Sequence, residues 1–309
     1  MGPRIDQFLQ DAYDFLNRHS EQWDLRNDVE LEATNRVMRV LVLDGSIGRH
    51  PKLVHAMCAI QHADGGWGER RDEPESRMRA TAHCIQTLAR ANRGHYNEHV
   101  TRSILRGLDY LMRKQRHNGS WADHRVHELE VSGVAVGALL SVVGRERYGN
   151  TWHGNALRRG MRFIQNSRSC THVWYRSVAA SPVSVTANLL HKCVAYNVSS
   201  IFTEQSIEAL LDMQLPEGYW DRGNIGFTCD VIRCALSCAG VLRDEDLHRR
   251  VAESSCRALN FVLDRVVDGG LGEWRTVAPD VIHTCGGIET VLELEKYFEP
   301  APELLMYWQ

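Results

Sequence analysis

Apolar residues along this chain recur in two alternating kinds of segment. In the first kind, as in IDQFLQDAYDFLNRH, NEHVTRSILRGLDYLMRKQ and EDLHRRVAESSCRALNFVLDRV, they fall three and four residues apart. That spacing makes one apolar stripe on a helix and leaves a charged face for solvent. In the second kind, as in VSGVAVGALLSVV, SVTANLLHKCVAYN and TCDVIRCALSCAGVL, small and apolar residues continue nearly all round, the pattern of a helix buried on most sides. Pro74, Pro182 and Pro279 stand just ahead of three such runs, where the missing proline N–H costs a helix nothing.

Tryptophan marks the period of this alternation. Trp23, Trp67, Trp121, Trp174, Trp220 and Trp274 are each followed by a small hydroxyl residue that opens an apolar run: Thr34, Thr81, Ser132, Thr186, Thr228 and Thr284. One such unit every 42 to 56 residues predicts six helical hairpins, each with an amphipathic outer helix and an apolar inner one. Inner helices that are apolar on nearly every side suit closure into a ring around an apolar pocket. The predicted fold is all-α, an (α/α)6 toroid. No linker or low-complexity tract interrupts it, so residues 1–309 read as a single domain.

Composition narrows the function classes. A formal net charge of −3 and the lack of any basic block argue against a nucleic-acid partner. The apolar runs are too short to span a bilayer, and the first residues lack the apolar core of a signal peptide. The expectation is a cytoplasmic protein without a membrane span. The nine cysteines form no CxxC pair and read as reduced core residues.

The segments between the helices carry a resemblance. QHADGGWGE (Gln61 to Glu69), QRHNGSW (Gln115 to Trp121), QLPEGYW (Gln214 to Trp220) and the looser DGGLGEW (Asp268 to Trp274) resemble the QW motif of squalene–hopene cyclases and their relatives, over essentially the whole chain. That resemblance implies the toroid of the terpenoid cyclases and protein-prenyltransferase β subunits, and an isoprenoid small-molecule substrate. The motif is structural and says little about the reaction.

Two reaction signatures of these families fall on one place. PDVIHT, Pro279 to Thr284, resembles the PDVDDT form of the DxDD motif in proton-initiated class II cyclases. Asp280 keeps the first Asp, Ile282 stands where the family has its proton donor, and His283 replaces the last Asp. His283-Thr284-Cys285 also matches the HTC of prenyltransferase β subunits, whose His binds zinc. That family's zinc Cys maps onto Cys229, and its zinc Asp maps onto Phe227, which binds no metal. No metal is therefore expected; Asp280, His283 and Cys229 are what remains of a zinc set. The expected contact is Asp280 with His283 alone, an acid arrangement without metal.

Aligning the repeats adds a polar rim. Four and two residues before each hydroxyl stand Glu30 and Glu32, Arg77 and Arg79, and Glu128 and Glu130 in the first three repeats. They read either as an ion-pair network or as a mouth where Arg77 and Arg79 hold an anionic head group, with Glu32 and Glu130 close by. No cofactor is expected, apart from magnesium should the substrate be a diphosphate. Asp230, three residues before Arg233 in an otherwise apolar run, is a second candidate proton carrier if burial raises its pKa. The first functional expectation is a terpenoid-cyclase-like enzyme that cyclises or isomerises an isoprenoid or polyene chain by protonation. The alternatives are a non-catalytic prenyl- or lipid-binding toroid, and a zinc prenyltransferase-β-like subunit that needs a partner protein. A polysaccharide lyase on this fold would require a basic, aromatic-lined groove.

Overall fold

The computed structural model describes residues 3–25, 29–94, 96–123, 127–143, 151–174, 182–272 and 279–298. They form α1 (Pro3–Arg18), α2 (Leu31–Leu43), α3 (Pro51–Ala59), α4 (Met78–Gly94), α5 (Glu98–Lys114), α6 (Glu128–Val143), α7 (Trp152–Asn166), α8 (Pro182–Ala195), α9 (Ser200–Asp212), α10 (Ile225–Ala239), α11 (Glu245–Leu263) and α12 (Val281–Phe298). Among the described residues there is no strand, only isolated bridges. The even-numbered helices are the apolar runs. Each begins three or four residues ahead of its predicted hydroxyl.

The hydroxyls have a common task. The backbone N–H of Trp67, Trp121 and Trp174 donates to Thr81, Ser132 and Thr186, each at 2.9 Å. In the fifth repeat Trp220 donates to Thr228 at 3.5 Å. A buried N–H just outside a helix thus finds its acceptor within the first turn. The sixth repeat corrects the tryptophan register. Leu271, not Trp274, donates to Thr284, at 2.9 Å; Trp274 lies outside the described residues. Aligned by its glycines, DGGLGE matches DGGWGE with leucine at the tryptophan position.

The turn before each tryptophan shows why glycine and glutamine recur there. Gly65, Gly119 and Gly218 have φ of 92°, 92° and 94°, and an added Cβ would lie 2.4 to 2.6 Å from the carbonyl oxygen of Arg106, Arg159 or Arg257. Both the left-handed backbone and the close approach demand a residue without Cβ. The amide of Gln61 donates to Gly65 O and Ser103 O, that of Gln115 to Gly119 O and Ala156 O, and that of Gln214 to Gly218 O and Ser254 O. Each glutamine ties its turn to the next outer helix. The fourth repeat builds the same turn from other residues. His172 takes the left-handed place with φ 64°, and Arg168, four residues earlier like the glutamines, donates to Phe202 O at 3.0 Å.

The chain divides into two compact units: a middle unit, Ser20–Ser167, and a split unit made of Met1–His19 and Arg168–Gln309. In the middle unit α4 packs between α2 and α6, while α5 and α7 cover α4 and α6. In the split unit α10 packs between α8 and α12, with α9, α11 and α1 on the outside. Trp67 and Trp121 are fully buried in the first, Trp174 and Trp220 in the second. The indole N–H groups of Trp67, Trp121 and Trp220 donate to Met57 O, Leu111 O and Leu210 O at 2.7 to 2.8 Å, so burial strands no donor.

Candidate functional site

Asp280 closes the N-terminus of α12. Its Oδ1 accepts the backbone N–H of His283 at 2.9 Å, and its Oδ2 lies 2.6 Å from His283 Nδ1. An Asp at the N-cap accepts an orphan helix N–H, and the three-residue spacing returns the imidazole to the same carboxylate. Burial pushes the Asp280 carboxyl up, but the imidazole and backbone N–H of His283 more than offset this. The net result is a pKa below the usual aspartate value. The imidazole packs against the start of α10: a Cβ on Gly226 would lie 3.5 Å from His283 Nε2. The pair stays accessible, with Asp280 38% and His283 20% exposed.

Cys229 is buried within α10, and among the described residues no group of three His, Cys, Asp or Glu side chains gathers as metal ligands do. Of Asp280, His283 and Cys229, the contact seen is that between Asp280 and His283.

Asp230 is held by Arg233, which also donates to Glu289 on α12. The arginine loses hydration by burial, and its two carboxylates outweigh that loss and raise its pKa. Asp230 thus belongs to an ion-paired cluster rather than standing as an isolated buried acid. Asn188 on α8 reaches the other Asp230 oxygen at 3.4 Å, and His191 Nδ1 lies 3.0 Å from Ser237 Oγ.

These contacts overturn the expectation of an apolar inner wall. Most positions of α8, α10 and α12 are buried, but the accessible ones fall on one stripe per helix. They include Asn188 and His191, then Phe227, Asp230, Arg233 and Ser237, then Ile282 and His283. The helices look apolar all round because three sides of each are packed; the fourth carries polar residues at three- and four-residue spacing, with Phe227 and Ile282 the apolar exceptions named here. In the middle unit the same stripe holds Glu32, Arg36 and Arg39 on α2, Arg79, His83, Gln86 and Arg90 on α4, and Glu130 on α6.

The rim arginines diverge. Arg79 pairs with Glu32 at 2.6 Å, and Arg36 approaches the same carboxylate at 3.9 Å. Arg77 turns away to Glu73 at 2.8 Å and Glu75 at 3.3 Å. The Glu73 hydrogen bond, stronger in effect than partial burial, raises its pKa. Glu130 lies in the first turn of α6. Sequence reasoning missed Glu289 and Arg36. Their signal was a charge inside or beside an apolar run, the same signal that singled out Asp230.

No family model matches the chain, and no curated protein sequence matches it. Solved structures do. A variant of the type II terpene cyclase MstE from Scytonema, in complex with its substrate geranylgeranyl dihydroxybenzoate, superposes with a TM-score of 0.70 at 12% identity, over 96% of this chain and 99% of that one. The ent-copalyl diphosphate synthase from Streptomyces platensis gives 0.64 at 17% identity over 85% of this chain. This chain spans only 50% of that synthase. A family 88 glycosyl hydrolase from Bacteroides vulgatus gives 0.65 at 11% identity, over 95% and 99% of the two chains. At such identities the likeness speaks for the fold alone, and fold does not fix chemistry. The fold class is the all-α (α/α)6 toroid, terpenoid-cyclase-like in architecture.

Proposed function

We propose that this chain is an enzyme of terpenoid-cyclase type. Asp280 delivers the proton that starts cyclisation or isomerisation of an isoprenoid or polyene chain, and His283 sets the ionisation of that carboxyl. The observation that carries the reading is the 2.6 Å contact between Asp280 Oδ2 and His283 Nδ1, placed at the segment that resembles DxDD. Protonating an alkene requires a strong acid. The hydrogen bonds that hold Asp280 low stabilise its conjugate base and so strengthen the acid. The proton adds to an alkene carbon and leaves a carbocation, while Asp280 becomes the carboxylate that His283 already supports. Loss of a proton from a neighbouring carbon ends the reaction. In the middle unit, the pairing of Arg79 with Glu32 and of Arg77 with Glu73 and Glu75 favours the ion-pair reading of the rim over a head-group site.

Replacing Asp280 with Asn keeps the cap but removes the transferable proton. With polyprenyl diphosphates and uncharged polyenes as substrates and products read by mass, D280N is expected to lose at least about a hundredfold in rate. The parent rate should rise as pH falls through neutrality towards the depressed Asp280 pKa, because only the protonated fraction reacts. Activity of D280N within a few-fold of the parent would remove Asp280 as the acid.

A second reading, an enzyme acting on hydroxylated ligands such as oligosaccharides, is favoured by one observation. Asn188, His191, Asp230, Arg233 and Ser237 offer hydrogen bonds where a polyene needs apolar contact. Turnover of uronate oligosaccharides with no change in any polyene would select it.

A further inference from the structure

The outer surface of the middle unit carries a groove that no part of the proposed chemistry uses. It runs between α5 and α7 and has a volume of about 710 Å³; Arg113, Arg158, Arg159, Arg162, Asp109 and Trp152 are among the residues that line it. Among the described residues that line it, four arginines face a single carboxylate. Arg113 donates to Asp64 O, Arg159 to Gln115 Oε1 and Arg158 to Asn155 Oδ1. The acceptors of Arg113 and Arg159 are neutral and leave the positive charge of those two in place. Among the described residues, Arg113, Arg159 and Arg162 enter no ion pair. The groove also sits at the N-terminal half of α7, whose dipole adds to the positive potential. Trp152, the first residue of α7, is 85% exposed, an unusual place for the largest apolar side chain.

From this we infer that the α5–α7 groove docks an acidic segment of a partner protein, with carboxylates that meet the arginines and an apolar side chain that covers Trp152. Charge complementarity sets the sign of the partner, and an exposed tryptophan among arginines has the composition of an interface anchor. The concavity argues for a segment rather than a bilayer. A flat anionic surface would need several apolar residues to enter it together, whereas among the described residues Trp152 is the one large exposed apolar side chain in the groove. Arg159 and Arg162 lie three residues apart on α7, roughly 4.5 Å of rise. They therefore match acidic residues three or four apart on a helix or two apart on an extended strand.

The probe is a short fluorescein-labelled peptide rich in glutamate with one central leucine, read by anisotropy against the full chain. Parallel titrations use phosphatidylglycerol vesicles and a DNA duplex. Arg162 and Trp152 are exposed and can be changed without disturbing the core, which a helical circular-dichroism spectrum checks. The expected result is saturable peptide binding that weakens about tenfold in Arg162→Glu. Binding should also weaken in Trp152→Ala, where every charge remains, and fall with added salt. Three results would overturn the inference: no peptide binding, binding indifferent to both substitutions, or tighter binding of vesicles or DNA that the same substitutions abolish.

Discussion

Arg233 and Glu289 form the most demanding contact in the split unit. Glu289 is fully buried, and Arg233 keeps only 13% of its side chain exposed. Two charges taken from water hold together only while both remain. Glu289→Ala leaves the guanidinium with Asp230 as its one carboxylate and is expected to cost about 3 kcal/mol in urea unfolding. The double change Arg233→Met with Glu289→Leu removes both charges and should recover most of that loss, because an apolar pair of similar size avoids desolvation altogether. A double variant as unstable as the single one would show that shape, not charge, holds this contact. Asp280 belongs to the same scale but not to the same class. Its carboxylate is accessible and supported by His283 and the backbone N–H of Ile282, so it can lose and regain a proton without disrupting the core.

At the scale of the element, the helices and their starts were legible because each is specified locally. Thr81, Ser132 and Thr186 stand 11 to 14 residues after a buried tryptophan and open apolar runs, and their hydroxyls answer a definite backbone donor. What could not be read were the places where the same backbone is built from different side chains. Arg168 and His172 reproduce a turn made elsewhere by glutamine and glycine, since the tie runs to carbonyl oxygens that any suitable donor can reach. Leu271 fills the position of a tryptophan. The polar inner stripe escaped notice for a related reason: averaging over VSVTANLLHKCVA hides the few positions that are not packed. The Asp280–His283 contact, by contrast, follows from a three-residue spacing at a helix start. Glycines inside outer helices give a test of packing against propensity. Gly160 lies in the middle of α7, where Gly→Ala should stabilise a helix by about 1 kcal/mol. Here an added Cβ would lie 2.7 Å from both the Trp121 ring and Val136. Gly160→Ala is therefore expected to destabilise by about 1–3 kcal/mol, measured by thermal or urea unfolding. A stabilised variant would mean that the indole is not seated on this glycine.

For the whole molecule, the first helix is the informative piece. Phe8 and Phe15 of α1 are buried in the split unit. An added Cβ on Gly287 would lie 2.9 Å from Phe8, and one on Gly270 would lie 2.9 Å from Phe15. The sixth inner helix and its preceding turn are thus completed by residues from the opposite end of the sequence. We read residues 1–309 as one folding domain, and this contact is where that reading is most exposed. Phe15→Ala should cost about 3–5 kcal/mol. If the chain is one domain, tryptophan fluorescence and far-ultraviolet circular dichroism should shift together to lower denaturant. Two separated transitions, with only one of them moved, would divide the chain into independent folding units.

The same placement of α1 bears on how the chain can be cut. Because α1 covers α12, the split unit is discontinuous in sequence while the middle unit is continuous. A circular permutant with its old ends joined by a flexible linker and its new ends opened between Ser167 and Arg168 would encode α8 to α12, then α1, then α2 to α7. Each compact unit would become an unbroken stretch of chain, so the two could be produced separately and mixed. The order in which the ribosome makes these helices is then one of several compatible with the fold.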